Sequence, residues 1–159
     1  MKLIRTRREK LVFEISLPER RLLFEVLKLH PLISATHYRL SKTARSAKHD
    51  ENQRLLEESL AAQRQENRKN VRAMLNEAGR FQAAASGFQL TLSGPEIEWL
   101  LQVLNDVRVG SWIALGAPDP EQGKKTTFDE KTVPHFRAME LAGAFETVFL
   151  DALSGHAPG

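Results

Sequence analysis

The sequence predicts a mainly α-helical α+β domain: a four-helix bundle-like body carrying a small three-stranded antiparallel sheet. Three observations predict it. Long stretches rich in Leu, Ala, Glu, Gln and Arg repeat their apolar residues at helical spacing. Two short segments, near residues 2–16 and 88–92, alternate apolar and polar side chains instead. Finally, 159 residues with 42% hydrophobic and 27% charged side chains suit one globular core. The expectation is a single domain over residues 1–159 with a flexible tail from about residue 154.

From Lys2 to Ser16 the apolar residues Leu3, Leu11, Phe13 and Ile15 fall mostly at alternate positions, and Arg7-Arg8-Glu9-Lys10 divides the segment into a basic hairpin. A helix opens next, because Ser16 suits the N-cap, Pro18 the first turn and Glu19 the amide-rich helix start. Leu22, Leu23, Val26, Leu27 and Leu29 give that helix its buried face, and Pro31 ends it. Residues 31–48 read as a polar, basic connection. Asp50 to about Ala78 reads as a long helix whose apolar stripe is Leu56, Leu60, Val71, Met74, Leu75 and Ala78. Gln63 and Asn67 interrupt that stripe, so the turn they occupy is expected to lie past the core. Gly79 and Ala83-Ala84-Ala85-Ser86-Gly87 are expected to close the helix, and Phe88 to Leu92 to add the third strand beside the hairpin.

The helix starting near Pro95 is apolar nearly all round through Ile97, Trp99, Leu100, Leu101, Val103, Leu104, Val107, Trp112, Ile113 and Leu115, which makes it the expected central helix. Residues 116–131 form a polar connection. The final helix runs from about Thr132 or Pro134 to Leu153, with Phe136, Met139, Ala142, Phe145, Phe149 and Leu153 on its face. One pattern occurs twice: Phe13 to Glu19 followed by Leu22 to Leu27 is echoed by Phe88 to Glu96 followed by Trp99 to Leu104. The echo is either a duplication or two uses of one local solution.

Composition narrows the function. With no cysteine, thiolate metal sites, disulfides and cysteine nucleophiles are excluded. The Gly-rich phosphate loops and the G-x-S-x-G elbow are absent from the sequence, and no cofactor is expected. No apolar run is long enough for a membrane span or a signal peptide, so the expected location is the cytoplasm. Residues 1–48 hold twelve Lys and Arg against four Asp and Glu, a net +8. The remainder holds eleven against sixteen, a net −5. Such polarity favours a partner that is acidic over one face, whether nucleic acid, an acidic protein or the acidic half of a second copy.

Two charges interrupt apolar faces. On a helical projection Arg108 falls amid Ile97, Leu101, Leu104 and Leu115, and Glu146 falls between Met139 and Leu153. A buried charge needs a partner, so Arg108 and Glu146 are expected to form a buried ion pair between the third and fourth helices. Asn105 and Asp106 lie beside Arg108, yet no histidine, nucleophile or second acid stands at a spacing that acid–base chemistry needs. His30, His37, His49 and Asp50 flank one loop, the one conceivable metal group, but none of the histidines are paired at ligand spacing and no metal is expected. The basic patch Arg5, Arg7, Arg8, Lys10, Lys28, Arg39, Lys42, Arg45 and Lys48 is the electrostatic candidate, with only Tyr38 nearby to stack on a base.

Phe13 to Leu23, the run Trp99 to Arg108 and the end Phe145 to Leu153 together resemble the bacterial family catalogued as domain of unknown function twenty-seventeen. The likeness is most specific at Trp99, Asn105, Asp106 and Arg108. The resemblance implies an accessory role near regulated proteolysis of the Clp type and supplies no catalytic residues. The expected function is a non-enzymatic protein-interaction module. The alternatives are nucleic-acid binding through the basic first third and a small-ligand or hydrolytic pocket around Arg108.

Overall fold

The computed structural model describes residues 1–33, 47–123, 125 and 127–155, the side chains of residues 47–49 and 120 excepted. Strands β1 (Lys2–Arg7) and β2 (Lys10–Ile15) form a hairpin that feeds helix α1 (Leu17–Lys28). Helix α2 (Ala47–Asn76) follows, then strands β3 (Phe81–Ala84) and β4 (Gly87–Ser93), helix α3 (Gly94–Ala114), a 3-10 turn (Pro120–Gln122) and helix α4 (Val133–Leu153). The sheet is antiparallel throughout, in the order β1-β2-β4-β3.

The sheet therefore has four strands where the sequence predicts three. The extra strand is Phe81–Ala84, expected to be part of a helix-closing loop; its alanines have weak strand propensity, and tertiary pairing overrides it. Ala84 pairs with Gly87 around the two-residue turn Ala85-Ser86. Phe81 stacks edge-on against Phe24 of α1, and the Arg20 guanidinium lies over the rings of Phe24, Phe81 and Phe88 at 5.2, 5.1 and 4.5 Å. Aromatic and cation–π contacts thus fasten this edge strand to the first helix.

The sequence echo extends to the architecture. A constant offset of 77 residues carries the Arg7↔Lys10 hairpin pair onto Ala84↔Gly87, N-cap Ser16 onto Ser93, and the start of α1 onto the start of α3. Both helix starts close the same capping box. Ser16 N donates to Glu19 Oε2 at 2.8 Å and Glu19 N to Ser16 Oγ at 3.3 Å; Ser93 and Glu96 repeat both distances. Leu23, Val26 and Leu27 recur as Leu100, Val103 and Leu104, all buried. The Phe13↔Leu90 pair of the central strands lies on the resulting pseudo-two-fold axis.

One face of the sheet, through Leu11, Phe13, Ile15, Leu90 and Leu92, packs against the helices, and Phe13 meets Phe149 of α4 edge-on. Helix α3 touches each of the other three helices, in keeping with its apolar circumference. The two halves part ways in their second helices: α4 lies along α3 over an extensive contact, whereas α2 contributes Val71 and Met74 from its last turns to the core.

Candidate functional site

Helix α3 presents chemistry in two directions besides the core. Toward α2 it turns Gln102, Asn105 and Asp106, and toward the outer side of α4 it turns Arg108, Val109 and Trp112.

The α2 side is a polar seam. Gln63 Nε2 donates to Asn67 Oδ1 at 3.1 Å, and Asn67 Nδ2 donates to Gln102 Oε1 at 3.0 Å. Arg64 Nε reaches Asp106 Oδ2 at 3.3 Å. The expectation that the Gln63 and Asn67 turn lies past the core holds for Gln63, which is exposed, and is corrected at Asn67. Asn67 is only 3% exposed, because the polar interruption of α2 meets the polar side of α3. Asp106 also accepts from the backbone N–H groups of Leu32 and Ile33 at 2.7 and 3.4 Å, which ties the chain leaving α1 onto α3. Gly110, one turn further on, makes room for that crossing, since a Cβ there would meet Leu32 Cβ at 2.5 Å.

A cavity of about 270 Å³ lies between these side chains, and His30 lines it with Asp106. The fold thus supplies the histidine that no spacing in the sequence placed near Asp106. Burial pushes the His30 imidazole below its ordinary value; Asp106 pulls it up while Arg64 and Arg68 push it down. Its Nδ1 is buried without a hydrogen-bond partner. Asp106 is committed to two amides and a guanidinium, and among the described residues no nucleophile lines this cavity. The arrangement acts as a clasp. Sequence reading missed His30, Arg64 and Gln102 as a group, and the signal was the pair Gln63 and Asn67 breaking an apolar stripe.

The α4 side opens as a groove of about 1010 Å³ lined by Arg108, Val109, Trp112, Met139, Gly143, Ala144 and Leu150, among others. Arg108 Nε stands 3.2 Å from Glu146 Oε1, and Arg108 Nη2 donates to Asn105 Oδ1 at 3.1 Å. The expected burial of both charges is corrected. The Glu146 side chain is 13% exposed but that of Arg108 is 47% exposed, because its long stem carries the guanidinium out along the groove wall. Burial raises the Glu146 carboxyl above its ordinary value, against the opposing pull of Arg108. Trp112 donates from Nε1 to Pro118 O at 3.2 Å, so its ring is held while remaining exposed. Met139, Gly143, Glu146, Leu150 and Leu153 recur at helical spacing, a second stripe of α4 beside its core face. The four positions of the family-like segment separate: Trp99 packs against the core, Asp106 closes the clasp, Asn105 bridges, and Arg108 enters the groove.

The basic patch is brought together only in part. Register places Lys2, Arg5, Arg7 and Lys10 on the sheet face opposite the core residues, with Arg8 in the turn at φ 47°. Lys2 pairs with Glu14 at 3.5 Å, and Arg5 donates to Gln89 at 3.4 Å. Lys28 lies at the far end of α1 and lines a different cleft. Arg39, Lys42 and Arg45, with Tyr38 and His37, lie outside the described residues, as do the side chains of Lys48 and His49. The tail from His156 onward lies outside them as well. Among the described residues no group of three His, Cys, Asp or Glu could hold a metal ion, and no helix is long and apolar enough to cross a membrane.

No family model, no curated protein and no solved structure matches this chain. The class that fold and site define is a mixed α+β domain of paired strand–strand–helix units.

Proposed function

We propose that this chain is a non-enzymatic protein-interaction module whose α3–α4 groove receives an amphipathic helix of a partner protein. The observation that carries this reading is the groove itself: Trp112 and Leu150 exposed on its walls, with Gly143 and Ala144 lining it. Small residues let a helix backbone approach closely, and exposed large apolar residues supply the anchors that helix-in-groove recognition uses. Two 21-residue helices give a groove roughly 30 Å long at most, enough for several turns of partner. The Arg108–Glu146 pair inside it sets the polar register of the occupant. The resemblance to domain of unknown function twenty-seventeen supports an accessory role near Clp-type proteolysis.

The test places a photo-crosslinking residue at Val109, identifies the captured segment, and measures that segment's binding directly as a synthetic peptide. Leu150→Glu and Gly143→Leu should each weaken binding at least tenfold while the thermal midpoint stays within a few degrees. Binding unaffected by both variants, or turnover of a small metabolite by the purified protein, would sink the reading.

A second reading, nucleic-acid binding, is favoured by Lys2, Arg5, Arg7 and Lys10 sharing one uncovered sheet face. The core-facing register of Phe13 and Phe88 leaves that face without stacking rings, so binding there would rest on phosphates and fall steeply with salt. Duplex and single-stranded oligonucleotides that both fail to bind at low salt would remove it.

A further inference from the structure

A separate cleft of about 310 Å³ lies between α1 and α2 and shares no residue with the α3–α4 groove. Its charged lining has one sign. Lys28 from α1 and Arg68 and Arg72 from α2 line it, and no Asp or Glu does. Arg68 and Arg72 are one helical turn apart, an arrangement of like charges that disfavours the helix. Neither they nor Lys28 forms an ion pair among the described residues. The apolar part of the lining is Leu27, Val71 and Leu75. His30 lines this cleft too; it is 7% exposed and its Nδ1 has no hydrogen-bond partner. A buried polar atom left in that condition is costly and calls for an explanation.

We propose that this cleft binds a small phosphate monoester, its phosphate held by Lys28, Arg68 and Arg72 with His30 donating a hydrogen bond, and its organic group against Leu27, Val71 and Leu75. Three cations lining one cleft with no carboxylate among them favour a dianion over a monocarboxylate. Planar guanidinium forks suit phosphate oxygens. The volume is at the small end for ligand sites, which limits the organic part to about the size of one ring. The bound dianion faces Lys28 from α1 and Arg68 and Arg72 from α2, while the His30 imidazole also feels the Asp106 carboxylate of α3 and Arg64 of α2. The dianion therefore relieves the cationic pressure that Arg64 and Arg68 exert on the imidazole, and binding takes up protons.

Calorimetric titration of the full chain with phenyl phosphate, inorganic phosphate and benzoate at low salt tests the assignment. Phenyl phosphate should bind at least tenfold more tightly than either of the others. Arg68→Gln combined with Arg72→Gln should weaken it at least tenfold, and because both side chains are exposed the fold should stay intact by circular dichroism. Arg54→Gln, a change of the same charge elsewhere on α2, should leave the affinity unchanged. Repeating the titration in buffers of different ionisation enthalpy should show proton uptake that His30→Gln abolishes. Absence of phenyl phosphate binding at millimolar concentration would overturn the proposal. So would equal affinity for the three probes, or an Arg54→Gln effect as large as that of the double variant.

Discussion

Replacing Asp106 with alanine removes three contacts at once: the Leu32 and Ile33 amides at 2.7 and 3.4 Å and the Arg64 guanidinium at 3.3 Å. The side chains of Arg64 and Asp106 are 13% and 8% exposed, so the counter-charge is withdrawn from a guanidinium that water reaches poorly. Breaking such a pair from one side costs about 3–5 kcal/mol. The Ile33 amide lies in a buried residue and adds to the loss, whereas Leu32 is exposed enough for its amide to hydrate. The total is expected near 4 kcal/mol, roughly a thousandfold in the folding equilibrium. Asp106→Asn keeps an acceptor for the amides and should cost about half as much. Urea melts followed by circular dichroism measure all of these. Arg64→Met and Asp106→Ala together should lose less than the sum of the two singles by at least about 1 kcal/mol. The other α3 pair is the comparison: Arg108 is half exposed, so Glu146→Ala should cost about 1 kcal/mol or less. A loss below about 1 kcal/mol for Asp106→Ala, or additive losses in the cycle, would refute the clasp.

Two partly buried glutamates, Glu96 at the start of α3 and Glu146 on α4, have opposite pH signatures. At Glu96 burial raises the carboxyl, but hydrogen bonds from Arg80 and the Ser93 amide outweigh it, and the folded value lies below the ordinary 4.5. Its contribution is present above 4.5 and is lost as pH falls through the folded value. Glu146 is raised above 4.5, so its contribution is full below 4.5 and is lost as pH rises through the folded value. Stability measured from pH 4 to 7 should therefore decline less steeply with rising pH in Glu146→Gln than in the parent. Ser16→Ala and Ser93→Ala should each cost about 1 kcal/mol, with additive effects in the double variant because the two caps share no contact. Gly110→Ala should lower the thermal midpoint clearly despite its better helix propensity, since the new methyl meets Leu32; a raised midpoint would mean that the crossing chain shifts freely. Phe81→Ala should speed hydrogen exchange at the amides of β3 and leave β2 protected.

The strand-cap-proline-helix units were legible because their signals are local: Ser16, Pro18 and Glu19, and again Ser93, Pro95 and Glu96, act within four residues of chain. Strand β3 was not, because Phe81 is held by Arg20 and Phe24 some sixty residues earlier while its neighbouring alanines carry no strand preference of their own. Projection of α3 and α4 located Arg108 and Glu146 on facing sides, but an angle about a helix axis says nothing of depth, and a long arginine stem leaves the core from a buried root. Gln63 and Asn67 looked like a helix leaving the protein because a polar stripe reads as solvent-facing until its match, Gln102 and Asp106 on another helix, is in view. The groove and the His30 cleft depend on how helices lean on one another, which no single segment encodes.

The two capped helices have an electrostatic consequence. Strands β2 and β4 run antiparallel, and each passes directly into a helix that packs on the same face of the sheet, so α1 and α3 begin at opposite ends of the central strand pair. Their positive poles are therefore kept apart. Each positive pole is also occupied by its own glutamate, Glu19 or Glu96. The fold thus offers no pooled helix field to attract an anion at these ends, and whatever anionic selectivity the protein has must be written in side chains that substitution can erase one at a time.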